Sequence, residues 1–182
     1  MEKVHRRYGT SRVDYQLHAV LKSNHEKYND LENEIERLEQ QDDPKNIPLF
    51  FKLRYEQIQH GVISIITAIA HLEAVIFEYG THFITPKSYL EHLDKLKLVS
   101  KWIVIPEICQ KTEIKEDRPE INDLKELIKA RNAIIHQKIQ WIDPEKPSVV
   151  NNNTEIDRFH RAASKSLQTT DNLIKILKIK KK

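Results

Sequence analysis

An arginine, an asparagine and a histidine lie close together in one predicted helix of this chain. Arg131, Asn132 and His136 belong to the run Leu124 to Ile139, whose apolar residues recur at helical spacing. Arginine can neutralise a phosphate, histidine can exchange a proton at about pH 7, and asparagine can hold an imidazole or a substrate in place. The three residue types therefore predict acid–base chemistry on a phosphate, which needs no metal.

Arg131 lies in the middle of the apolar face of this helix, at about 100° of rotation per residue. The residues that share the face are Leu124, Leu127, Ile128, Ile134, Ile135 and Ile139. A guanidinium keeps its proton, so in that position it must face a carboxylate, a bound anion or water. Asn132 and His136, four residues apart, lie together on the flank of the face. The pattern indicates a polar site, and a purely structural ion pair of Arg131 is the alternative.

A carboxylate partner for Arg131 is predicted on an earlier helix, within the apolar run Gly61 to Phe77. On its helical wheel Glu73 shares a side with apolar residues, which are Val62, Ile66, Ile69, Ile76 and Phe77. This side predicts a core position for Glu73. A buried carboxylate and a buried arginine are explained together as an ion pair that holds the guanidinium in orientation.

The other side of the same helix carries a polar stripe. Its members are His60, Ser64, Thr67, His71 and Glu78. We interpret it as a solvent-facing or interfacial stripe, with a second site at His60, Ser64 and His71 as the alternative. No pair of histidines with metal-ligand spacing is evident on one helix face, so we expect no metal site.

The composition is that of a helix-rich globular chain. The 182 residues include only 3 glycines, 39% are hydrophobic and 31% are charged, which favours one helical domain over residues 1–182. A net charge of +3 is too small to indicate nucleic-acid binding by itself. The single Cys109 excludes an intrachain disulfide and thiolate-rich metal sites and suits a reducing cytoplasm. No signal peptide is evident, and Gly61 to Phe77 is too short and too polar to predict a membrane span.

The order of predicted elements indicates an all-α, up-and-down bundle with a long N-terminal helical hairpin. The first helix covers about Arg12 to Gln41, and the second follows a proline-rich break and runs from Ile47 to Tyr79, ending at Gly80. Heptad spacing defines the seam of the first helix, formed by Leu17, Leu21, Asn24, Tyr28, Leu31, Ile35 and Leu38. This seam predicts packing within the chain or in a dimer.

Later helices are predicted from caps and apolar spacing. Thr85 caps a helix that begins at Pro86 and runs through Leu96. The apolar segment 99–109 is interrupted at Pro106 and its conformation stays open. The helix of Arg131 covers about 121–140, and Asn153 or Thr154 caps the last helix. Its predicted inner residues are Ile156, Phe159, Leu167, Ile174 and Leu177.

The segment LKELIKARNAIIHQK, residues 124–138, resembles the signature helix of HEPN domains, the helical ribonuclease and nucleotide-binding modules of prokaryotic defence and toxin systems. The resemblance extends over about residues 47–182, and residues 1–46 are a possible N-terminal addition. In HEPN toxins that pair with nucleotidyltransferase antitoxins a tyrosine follows two residues after the histidine. Here that position is Lys138, so regulation through a modified tyrosine is not implied.

The resemblance implies a metal-independent, cytoplasmic endoribonuclease without a cofactor, in which two protomers form one composite cleft. Arg131 would stabilise the scissile phosphate, His136 would act as general acid or base, and Asn132 would position them, leaving a 2′,3′-cyclic phosphate. RNA would be the substrate, and an antitoxin or another regulatory protein is a possible partner. The alternatives are a noncatalytic module that binds nucleotide, RNA or protein, and a helical scaffold in which Arg131 and Glu73 are structural.

Overall fold

The chain folds into a bundle of α-helices. The computed structural model describes residues 12–41, 43–135 and 152–177, and every regular element in these ranges is helical. The α-helices are α1 (Arg12–Gln41), α2 (Ile47–Phe83), α3 (Pro86–His92), α4 (Leu98–Gln110), α5 (Pro119–Ile135) and α6 (Asn152–Ile176). The predicted all-α bundle is confirmed. Residues 136–140 of the predicted helix 121–140 lie outside the described residues.

Helices α1 and α2 form the predicted antiparallel hairpin. The observed bounds of α1 are those predicted, and most of its heptad seam is buried: Leu21, Tyr28, Leu31, Ile35 and Leu38. In the turn, the Asp43 carboxylate accepts a hydrogen bond from the Lys45 amide at 3.0 Å. The seam packs against α2 within the chain, which settles one of the two predicted alternatives.

Helix α6 packs in the groove between α1 and α2 and runs parallel to α2. A Cβ atom placed on Gly61 would lie 2.7 Å from Cζ of Phe159 and 3.2 Å from Cβ of Ala163. Ten residues further along α2, His71 lines one cavity with Asp171 of α6. The absence of a side chain at Gly61 therefore lets the two helices approach closely at their crossing.

Helix α2 continues past the predicted end at Gly80 to Phe83. The glycine does not end the helix, and its conformation is ordinary. It is instead a close-contact position, because a Cβ atom there would collide with the ring of Tyr89 and lie 3.3 Å from Cγ2 of Ile105. Gly80 thus accommodates α3 and α4 at this end of the bundle.

Three further expectations were wrong or incomplete. Helix α3 begins at Pro86 with Thr85 as its cap, as predicted, but ends at His92 rather than Leu96. The open segment is helical throughout, with Pro106 inside α4. Ile156, predicted to face inward, is 52% exposed, because small residues such as Ala162, Ala163 and Ser166 supply the inner face of α6.

Candidate functional site

The position of Arg131 along the bundle follows from the course of α5. This helix starts beside α4, near the C-terminal end of α2. Further along α5, the side chain of Glu126 lies 3.6 Å from the side chain of Arg158 on α6. Arg158 neighbours Phe159, which contacts Gly61. Arg131 lies five residues beyond Glu126, about 7.5 Å further along. It is therefore close to the end of the bundle at which α2 begins.

Arg131 is partly buried and has no ion-pair partner among the described residues. Its neighbours on the inner face of α5, Leu124 and Leu127, are fully or almost fully buried. The Nε atom of Arg131 is enclosed and finds no hydrogen-bond acceptor in the part of the chain that the structure describes. Arg131 is therefore half-buried, with its Nε enclosed on the inner side of α5.

Glu73 does not lie in the core, and the prediction that placed it there was wrong. Its side chain is exposed, and it forms no ion pair with Arg131. Arg131 lies at the level of about residue 56 of α2. Glu73 is seventeen residues further along α2, a separation of about 25 Å along the helix axis. The Glu73 carboxylate contributes to the raised pKa of Tyr89, which reaches about 12 mainly through burial and then through Asp94 and Cys109.

The error at Glu73 has a physical cause in the two faces of α2. The predicted apolar side of the wheel is divided: Ile66 and Phe77 are exposed like Glu73, whereas Ile69 and Ile76 are buried. The side with the polar stripe faces α1 and α6. Small residues there, Gly61 and Ala68, permit close packing, and hydrophobicity alone did not reveal this.

The other predicted catalytic residues are only partly described. Asn132 is exposed on α5, next to Arg131. His136 lies outside the described residues, so its predicted proximity to Arg131 stays a prediction. The described portion of the site thus consists of an inward arginine and an outward amide on one helix.

The predicted second stripe lies inside the bundle, between α2, α1 and α6. Ser64 is fully buried and His71 is 3% exposed, while His60 is partly buried. Nδ1 of His60 lies 2.8 Å from Oδ1 of Asn24. The Nδ2 group of Asn24 donates a hydrogen bond to the Val20 carbonyl. The stripe is interfacial, one of the two predicted readings, but the interface is within the chain.

Further histidines connect α1 to α6, and their contacts were not predicted from the sequence. His25 donates from Nδ1 to the Ala163 carbonyl at 3.3 Å and accepts at Nε2 from Asn29 at 3.1 Å. The Tyr28 hydroxyl and Nδ1 of His160 form a hydrogen bond at 2.6 Å. Their positions on the inner faces of amphipathic helices were the available sequence signal.

Burial governs the protonation of the Tyr28–His160 pair. Burial raises the pKa of Tyr28 well above its usual range, and the Glu32 carboxylate acts in the same direction. Burial lowers the pKa of His160, which Glu32 partly opposes and Arg54 reinforces. Both effects favour the neutral phenol of Tyr28 and the neutral imidazole of His160.

A cavity of about 550 Å³ lies at the opposite end of the bundle from Arg131. It is lined by Asp14, Tyr15, Gln16 and His18 of α1, His71 of α2, and Asp171 and Ile174 of α6. Nε2 of His71 is 2.5 Å from Oδ1 of Asp14, and the rings of His18 and His71 are 5.3 Å apart. Burial lowers the pKa of His71, while the Asp14 carboxylate acts in the opposite direction.

A smaller groove of about 270 Å³ lies between α5 and α6. Three cationic side chains of α6 line it, Arg158, Arg161 and Lys165, opposite Asp123 and Glu126 of α5. Lys129 donates to Glu126 at 2.6 Å, so this carboxylate is already neutralised in part. The groove offers more positive than negative charge to a ligand.

The outer face of α2 is apolar and uncovered in the single chain. Phe51 is 66% exposed and Tyr55 is 65% exposed. Within the described chain, one helical segment, Pro44–Phe83, is long and apolar enough to cross a membrane, with mean hydropathy 1.7 over a window that is 50% buried. By itself this is weak evidence for a membrane span, because a core helix of a soluble bundle has the same composition.

No group of three histidine, cysteine, aspartate or glutamate side chains among the described residues is arranged to hold a metal ion. Comparison with known proteins gives no match: no family model, no curated protein and no solved structure is significantly similar to this chain.

Proposed function

We propose that this chain is a metal-independent endoribonuclease of the HEPN type, from a prokaryotic defence or toxin system. The observation that carries the proposal is the inward-facing guanidinium of Arg131, which has no carboxylate partner among the described residues. A charge in such a position is costly unless an anion or ordered water meets it. A phosphate of RNA is an anion of suitable shape, because it accepts two parallel hydrogen bonds from a guanidinium.

Each residue of the motif has a role in the proposed reaction. The 2′-oxygen of the ribose attacks the adjacent phosphorus, and the bond from phosphorus to the 5′-oxygen of the next nucleotide breaks. Arg131 stabilises the negative charge that develops on the phosphate oxygens. His136 takes the proton from the 2′-hydroxyl or gives one to the leaving oxygen, and Asn132 positions the reacting groups. The products are a 2′,3′-cyclic phosphate and a 5′-hydroxyl.

A second copy of the chain is the proposed partner, and two surfaces support the assembly with RNA. Exposed apolar side chains of α2, Phe51, Tyr55 and Ile58, lie at about the level of Arg131, and Ile135 of α5 is 54% exposed. Apolar surface of this kind favours association between chains. The basic groove of Arg158, Arg161 and Lys165 offers phosphate contacts beside α5. An antitoxin or regulatory protein would control such an enzyme, in the cytoplasm where its substrate is present.

The test is cleavage of single-stranded RNA by purified protein in the presence of EDTA. We expect products that end in a 2′,3′-cyclic phosphate, and we expect Arg131→Ala and His136→Ala to lower the rate at least about a hundredfold. Arg37→Ala is the matched control, because Arg37 is an exposed arginine whose ion-pair partner among the described residues is Glu34 of its own helix. Its cleavage rate should equal that of the parent protein.

Two results would decide against the enzyme. If the parent protein does not cut RNA but binds it, and Arg131→Ala abolishes that binding, the chain is a noncatalytic RNA-binding module. Equal cleavage by the parent, Arg131→Ala and His136→Ala would mean that a contaminating nuclease is responsible.

A further inference from the structure

Three cations of α6 form a line along the groove between α5 and α6. Arg158, Arg161 and Lys165 are three and four residues apart, so they share one face of the helix. Their positions along its axis differ by about 4.5 Å and about 6 Å. The buried side chains of Ala162 and Thr169 also line the groove. The line of charge is therefore fixed by helix geometry and by the packed residues beside it.

The three cations differ in what they already contact. Arg158 lies 3.6 Å from the Glu126 carboxylate, which also accepts a hydrogen bond from Lys129 at 2.6 Å. That hydrogen bond is the main cause of the lowered pKa of Glu126, so the carboxylate keeps its charge at neutral pH. Arg161 and Lys165 form no ion pair in the part of the chain that the structure describes. These two side chains are open to a ligand, whereas Glu126 engages the other cations.

The line of cations leads toward Arg131. Leu127 lines the groove from α5, and Arg131 follows it by four residues on the same side of that helix. Because α5 and α6 are antiparallel, Lys165 is about 18 Å along the axis from Arg131, with Arg161 between them. A ligand that contacts all three cations must therefore be an extended polyanion.

We propose that this groove holds single-stranded RNA, with one phosphate at Arg161 and another at Lys165, and that Glu126 limits the affinity by pairing with its neighbouring cations. The choice of RNA rests on the proposed function, in which Arg131 binds a phosphate. A flexible single strand can follow cations spaced along a helix, and its phosphate contacts carry no sequence preference. Exposed ion pairs are weak, so Glu126 lowers the affinity without closing the groove.

Fluorescence anisotropy with a labelled 2′-O-methyl oligouridylate measures binding without cleavage, because the blocked 2′-oxygen cannot attack the phosphate. At about 0.1 M salt, each phosphate contact with a single strand contributes about fivefold to the affinity. We expect Arg161→Ala and Lys165→Ala each to weaken binding about fivefold. Each should also reduce the slope of log affinity against log salt by about 0.7. Lys175→Ala, at an exposed lysine further along α6, should leave both values unchanged.

Glu126→Gln tests the second half of the proposal. The variant preserves the size of the side chain and removes its charge, so Arg158 and Lys129 become free to contact phosphates. We expect binding to tighten about fivefold for each cation that gains a phosphate, with a steeper dependence on salt. Glu36→Gln, which removes an exposed carboxylate of α1, is the control and should leave the affinity unchanged.

The proposal is overturned if the parent chain does not bind the oligonucleotide, or if Lys165→Ala and Lys175→Ala bind it with equal affinity. It is equally overturned if Glu126→Gln binds no more tightly than Glu36→Gln. Binding of a poly-glutamate peptide that depends on Lys165, without such dependence for the oligonucleotide, would assign the groove to an acidic protein segment instead. If the parent chain binds through Lys165 but cuts no RNA, the proposed enzyme fails and this proposal stands. If it cuts RNA while Lys165→Ala binds normally, the reverse holds.

Discussion

Arg131 combines a charged group with an inward position, and this combination predicts a conflict between stability and activity. Replacing it with methionine, of similar length, removes the desolvated charge and adds apolar contacts beside Leu127. We expect Arg131→Met to raise the free energy of unfolding by about 0.5–1 kcal/mol while abolishing RNA cleavage. Urea unfolding followed by circular dichroism measures the first effect, and the cleavage assay measures the second.

The opposite result would assign Arg131 to the architecture of the bundle. Loss of an arginine from a buried ion pair costs about 3–5 kcal/mol. A loss of that size in Arg131→Met, with Arg37→Met unchanged, would show that a carboxylate outside the described residues holds the guanidinium.

His160 predicts a dependence of stability on pH. Its pKa in the folded chain is lowered by burial below the value of about 6.5 in an unfolded chain, so folding favours the neutral ring. The stabilisation is therefore present above about pH 6.5 and is lost as the pH falls through the lowered folded pKa. We expect the free energy of unfolding to fall between about pH 7.5 and pH 5.5, and to fall less in His160→Gln.

His92 provides the comparison for this pH series. It lies on α3 with its side chain 75% exposed. His92→Gln should reproduce the pH dependence of the parent protein. If His160→Gln does so as well, the contact of His160 with Tyr28 contributes nothing to the acid sensitivity.

At the scale of the element, the inner face of α2 could not be predicted from the hydrophobicity of its residues. Apolar residues occur on both sides of this helix, and the sequence offers no direct measure of which side its neighbours cover. The small residues Gly61 and Ala68 decide the matter, because they let α1 and α6 approach. Glu73 was misplaced because α2 has apolar residues on both sides, whereas α5 has a single apolar face.

The close approach at Gly61 predicts a steric penalty for any side chain. In an exposed helix, glycine to alanine would stabilise by about 1 kcal/mol. At Gly61 the new Cβ would meet Cζ of Phe159 at 2.7 Å and Cε2 of Tyr28 at 3.1 Å. We expect Gly61→Ala to destabilise the protein by about 1–3 kcal/mol in urea unfolding. Gln59→Ala, at an exposed position two residues earlier, should change stability by less than about 0.5 kcal/mol.

At the scale of the whole molecule, the outer face of α2 predicts self-association near Arg131. We expect the parent chain to be dimeric at micromolar concentration in sedimentation velocity, and Tyr55→Glu to be monomeric and inactive on RNA, because a charge at the contact opposes its desolvation. Leu90→Glu introduces the same charge at an apolar side chain of α3 that is 53% exposed. This variant should remain dimeric and active. A monomeric parent chain would remove the basis for a composite site.

The general architecture was accessible from the sequence, and the contacts between helices were not. Heptad spacing, the Asp43–Pro48 break and the Thr85 cap defined α1, the start of α2 and the start of α3 because these signals are local. The polar layer around His25, His60 and His160 depends on which residues of distant segments meet. From the sequence alone, each of these histidines would be assigned to the surface, because its partner helix is not known.

The long separation between α2 and α6 has a consequence for synthesis on the ribosome. Helix α6 covers the inner side of α2 near Gly61, but it follows the end of α2 by about seventy residues. At about 5–20 residues per second, the nascent chain carries an incompletely covered apolar helix for roughly 4–14 s. During that interval the segment Pro44–Phe83 offers the features that chaperones and membrane-targeting factors recognise. Nascent chains stalled before α6 should therefore be the forms that such factors capture.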